Sequence, residues 1–155
     1  MKFRYFVPFL LVLVVAFSSC EKKTMSKIPL ITLSYFGPGQ IKVNTDTAFL
    51  KFTLQDGDAD LGQDQNNIDY DIYIKDARYD STYIPYYFPE ISPDIKDPKK
   101  GLEGSCIFKF TPDMIVPRFD SLHKNSDTTS FEIYIMDRAG NKSNHIITPQ
   151  IIVTI

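Results

Sequence analysis

Beyond its first 27 residues this sequence predicts an all-β fold, an immunoglobulin-like antiparallel β-sandwich of seven to eight strands, and three observations carry the prediction. Apolar residues fall in short runs rich in Ile, Val, Phe and Tyr. Within the runs they alternate with polar residues, the period of a half-buried strand. Clusters of Gly, Pro, Asn and Asp separate the runs.

Eight runs qualify: 30–36, 40–43, 47–54, 68–75, 83–88, 105–110, 130–136 and 145–153. In the third, Ala48, Leu50, Phe52 and Leu54 share one face and are expected in the core. In the fourth, Ile68, Tyr70, Ile72 and Ile74 alternate with Asp69, Asp71, Tyr73 and Lys75. In the seventh, Phe131, Ile133 and Ile135 alternate with Glu132, Tyr134 and Met136. Sheets with one apolar face bury it against one another, which gives a sandwich, with a closed barrel as the alternative. One short helix is expected over 112–116, with Thr111 as N-cap and Pro112 as its first residue. Cys106 shares a face with Phe108 and Phe110 and reads as a small buried hydrophobe, not a nucleophile.

The chain starts differently. Lys2 and Arg4 precede an apolar run from Tyr5 to Phe17, followed by Ser18-Ser19-Cys20. This is the layout of a signal peptide over residues 1–19. The run is shorter than the roughly 20 residues that a bilayer crossing needs, and Pro8 interrupts it. Small residues before a cysteine, with the polar Glu21-Lys22-Lys23-Thr24 after it, resemble the lipobox of bacterial lipoproteins. That resemblance implies cleavage before Cys20 and covalent lipid on it, with residues 20–27 as a tether and 28–155 as one domain. An ordinary secretory signal with a chance cysteine is the alternative.

Loss of residues 1–19 leaves 15 basic against 19 acidic residues, a formal charge near −4. With no basic run, nucleic acid is not an expected partner. With Cys20 lipidated, Cys106 has no partner for an intrachain disulfide.

The most distinctive segment is Asp56-Gly57-Asp58-Ala59-Asp60-Leu61-Gly62-Gln63-Asp64. Six aspartates and no basic residue lie between Lys51 and Lys75. A hard cation offsets such repulsion, and calcium accepts six to eight oxygen ligands, about what alternating carboxylates on a tight loop supply. The loop is not an EF-hand: Leu61 stands where the turn Gly belongs, Asn67 where the bidentate Glu belongs, and strands flank it. A second segment, Met136-Asp137-Arg138-Ala139-Gly140-Asn141, forms a turn between the last two runs. In an immunoglobulin-like topology the two loops cluster at one end. The candidate calcium ligands are therefore Asp56, Asp58, Asp60, Asp64 and Asp137. The competing reading is a solvated turn, with Asp137 capping its own hairpin.

The Asp-Gly-Asp-Ala-Asp-Leu-Gly string behind a lipoprotein-type leader resembles a group of Bacteroidota lipoproteins, and Asp137-Arg138-Ala139-Gly140-Asn141-Lys142-Ser143 resembles the late turn of bacterial Ig-like and cadherin-like domains. The resemblance implies an outer-membrane lipoprotein with a calcium-stabilised sandwich and implies no activity. Acidic signals direct lipoproteins of that phylum to the cell surface, and Glu21-Lys22-Lys23 matches them poorly, which favours the periplasmic face. The same phylum glycosylates Asp-Ser/Thr sites, so Ser81, Ser121 and Thr128 are expected in loops as candidates.

No phosphate-binding glycine loop and no nucleophile elbow occur, and His123 and His145 lack zinc-ligand spacing. The expectation is a non-catalytic binding or assembly module whose partners are the membrane, through its lipid, and a protein or glycan. In the glycan version, an accessory lipoprotein of polysaccharide uptake, Tyr83, Tyr86, Tyr87 and Phe88 would contact the ligand. A carbohydrate hydrolase is the more distant alternative.

Overall fold

The computed structural model describes residues 25–62, 70–79, 82–89, 91–92, 94–115, 118 and 125–155. The leader, Cys20, Asp64, Ser81 and Ser121 lie outside the described residues.

The fold is all-β and sandwich-like. Its strands are β1 (Leu30–Gly37), β2 (Gln40–Lys42), β3 (Ala48–Asp56), β4 (Ile72–Asp76), β5 (Ile84–Tyr86), β6 (Leu102–Phe110), β7 (Ser126–Thr129), β8 (Phe131–Ile135), β9 (Ile146–Ile147) and β10 (Ile151–Thr154). They form three sheets, ordered β1-β3-β6, β2-β10-β7 and β5-β4-β8-β9. All pairs are antiparallel except β2 with β10.

Alternation decides the core. On β3 the even residues Ala48, Leu50, Phe52 and Leu54 are buried and the odd ones exposed, as their period demands. They face Ile72 and Ile74 of β4 and Ile133 and Ile135 of β8, which belong to the same core. A register shift in β1 between Leu33 and Tyr35 lets both Leu33 and Phe36 pack against that core, although they lie three positions apart. Cys106 is free, lies on the inward face with Phe108 and Phe110, and has its thiol pushed up to about 11 by burial, which agrees with a packing role.

Three details differ from the sequence reading. The run 145–153 is two strands, because Pro149 interrupts it and the chain passes from β9 in one sheet to β10 in another. Residues 112–115 make a turn closed by the Met114 N–H on the Thr111 carbonyl at 2.9 Å, and no helix occurs among the described residues. Pro117 follows too closely for a helix to propagate. Finally, Ser126–Thr129 forms β7 against β10, so Thr128 lies on a strand and not in a loop.

Candidate metal centre

β3 ends in Asp56, which is wholly buried, and the chain then turns sharply. Gly57 makes the turn feasible: its N–H donates to the Ser26 carbonyl at 2.8 Å, and a Cβ there would lie 2.5 Å from that oxygen and 2.6 Å from the Met25 carbonyl. Ala59 takes a left-handed φ of 57° and Gly62 one of 85°, which folds the loop back on itself. The Asp60 N–H donates to Asp56 Oδ2 at 3.0 Å. At the other side of the centre, the Asn141 N–H and side-chain amide donate to Asp137 at 2.7 and 2.8 Å, and Gly140 closes the turn with φ 84°.

The two loops meet. The Ala139 N–H donates to Asp60 Oδ2 at 3.1 Å, and the Arg138 guanidinium donates to the Gly62 carbonyl. One carboxylate oxygen from each of Asp56, Asp58, Asp60 and Asp137 then lies within 4.8 Å of the others. Asp56 Oδ1, Asp58 Oδ1 and Asp60 Oδ1 are buried and have no hydrogen-bond partner.

The electrostatics agree with a crowded acidic cage. Burial, then the adjacent Asp58 carboxylate, to which only a protonated Asp56 can donate, and the charge of Asp60 push Asp56 up to about 7. Burial and the charges of Asp137 and Asp58 likewise raise Asp60, outweighing Arg138. Lys27 stands 4.0 Å from Asp58 Oδ2, but its side chain is exposed and offsets little. Every ligand atom is a carboxylate oxygen, which is the donor set of a hard cation.

Four of the five sequence-predicted ligands therefore converge, while Asp64 is outside the described residues. Sequence reasoning missed Asp71. It was expected to face solvent with Tyr70 inside, yet Asp71 is buried and Tyr70 is 51% exposed. Its carboxylate accepts N–H bonds from Phe88, at 3.3 Å, and from Gly62, so it ties the exit of the acidic loop to the end of β5. The alternation ended one residue early because the strand itself begins only at Ile72. No local signal distinguishes such an aspartate from a surface one.

Also missed was a partly buried ion cluster at the opposite end of β4. Arg78 pairs with both Asp76 and Asp127, with further bonds to Asp76 at 2.9 and 3.1 Å. The Thr129 hydroxyl donates to Asp76 at 2.5 Å and the Arg118 N–H to Asp127 at 2.8 Å. Burial alone would raise Asp76, but Arg78 and Thr129 hold it below the usual carboxylate range. Asp127 is held low in the same way, by the Arg118 and Thr128 N–H groups and Arg78.

The four aromatic residues proposed as ligand contacts do not form one platform. Phe88 is buried in the core, 6.4 Å from the Phe52 ring, and Tyr86 packs edge-on against Phe108 at 4.8 Å. Tyr83 lies against the Tyr134 ring at 5.0 Å, in a group with Tyr73 and His145. Tyr87 alone of the four is largely exposed, at 55%. Alternation on a strand sends successive side chains to opposite faces, which is why a run of aromatics divides.

No protein-family model, curated protein or solved structure matches the chain.

Proposed function

We propose that this chain is a non-catalytic envelope lipoprotein, anchored at the outer membrane through lipid on Cys20, whose sandwich is stabilised by calcium and serves as a binding or assembly module. The observation that carries the calcium reading is the set of three buried, unpartnered carboxylate oxygens supplied by Asp56, Asp58 and Asp60. A buried polar atom without a partner is costly, and several acidic ones facing each other are costlier. One cation satisfies all three and Asp137 together.

Calcium is the cation proposed, because it takes an all-oxygen set in flexible geometry. The cage oxygens lie within 4.8 Å of one another.

The anchor rests on the leader and Cys20, the periplasmic orientation on Glu21-Lys22-Lys23, and both are testable in cells. Fatty-acid labelling and membrane retention of the wild type, lost in Cys20→Ser, support the anchor; equal retention of both refutes it. For the ion, calorimetric titration of residues 21–155 with calcium should show one equivalent bound, with binding abolished in Asp58→Ala. Absence of heat in the wild type refutes the calcium site.

A further inference from the structure

The first sheet ends on β6, and among the described residues that edge is open. β6 pairs with β3 through nine consecutive residues without a register shift, and among the described residues no strand pairs with its other side. Sheets protect such an edge with a proline, a bulge, short length or charged side chains; Leu102–Phe110 has no proline, no bulge and nine residues, and its two charges, Glu103 and Lys109, are of opposite sign. Its inward residues Gly104, Cys106 and Phe108 are only half-buried, while their partners Leu54, Phe52 and Leu50 on β3 are buried. On the outward face Ile107 is 60% exposed.

The strand is also self-complementary about its midpoint. When two copies of β6 run antiparallel around a two-fold axis at Cys106, Glu103 of each falls opposite Lys109 of the other. Ser105 then meets Ile107, and the diagonal brings the two Ile107 side chains together. Gly104, with nothing within 4 Å of its Cβ position, falls opposite Phe108 and leaves that ring room. A shift of two residues in either direction breaks both charge pairs. The Gln55 amide donates to Glu103 at 3.1 Å from the neighbouring strand, which holds this carboxylate on the outward face.

We propose that a second copy of this chain pairs with the β6 edge in that register, joining two β1-β3-β6 sheets into one continuous sheet across a two-fold axis.

The test is sedimentation equilibrium of the full chain in density-matched detergent, over a concentration series, for the wild type, Lys109→Glu, Glu103→Lys and the double variant. The wild type should show a reversible monomer–dimer equilibrium. Each single variant places like charges opposite one another at both ends of the interface and should weaken association about tenfold. The double variant should restore it, which also shows that the single variants fold. A wild type that stays monomeric, single variants that associate as tightly as wild type, or a double variant that fails to recover would each overturn the proposal.

Discussion

The Ala139 N–H donates to the Asp60 carboxylate at 3.1 Å, a bond between residues 79 positions apart that fastens the β3–β4 loop to the β8–β9 turn. It uses one oxygen of Asp60 and leaves the other buried beside those of Asp56 and Asp58. The loop is thus ordered by the same side chains that leave acceptors over for an ion.

The cage should respond to pH in opposite senses with and without metal. Asp56 is raised to about 7 and Asp60 is raised as well, so the metal-free fold binds protons more tightly than the unfolded chain. This contribution to stability is fully present below the ordinary carboxylate value and is lost as pH rises through about 7. Calcium competes with the same proton, so its affinity should fall as pH drops below that value. Melting temperatures with chelator and with excess calcium, measured across this range, should diverge as pH increases; parallel curves would contradict the cage.

Gly57→Ala should loosen the loop. The added Cβ would lie 2.5 Å from a backbone oxygen that also accepts the Gly57 N–H, and neither chain segment can give way without losing that bond. A destabilisation of about 1–3 kcal/mol is expected in urea denaturation, together with weaker calcium binding. Unchanged stability would mean that the Met25–Ser26 segment does not cross the loop in solution.

Much of the fold was legible because amphipathic strands advertise themselves. β3 needed only the alternation of Ala48, Leu50, Phe52 and Leu54, and convergence of the two acidic segments followed from the order of strands in an immunoglobulin-like sandwich. What was illegible depends on distant partners. Ser126–Thr129 has no apolar period, and it is a strand because β10 supplies a ladder and Arg78 neutralises Asp127. Asp71 reads as a surface residue until Gly62 and Phe88 are seen to donate to it. The aromatic run looked like one surface because sequence adjacency conceals that a strand divides it between two faces.

Arg78→Met should cost about 2–4 kcal/mol at neutral pH, because it removes the paired cation from one buried carboxylate, Asp127, and one half-buried, Asp76. Asp76 and Asp127 are held below their ordinary values, so the stability they contribute is present above the usual carboxylate range and lost as pH falls through the folded values. The deficit of the variant should therefore shrink in acid. Chemical denaturation at neutral and acidic pH checks both the size and the trend.

A cation site and a solvated turn make opposite predictions for the acidic loops. The most direct measurement is the melting temperature of the wild type and Asp56→Asn, each with calcium and with chelator. Calcium at a hundred times its dissociation constant should stabilise the wild type by about 2.7 kcal/mol, and the variant much less. In chelator the variant should be at least as stable as the wild type, since it relieves the repulsion around a buried carboxylate. Identical melting temperatures for the wild type with and without calcium would contradict the cation site.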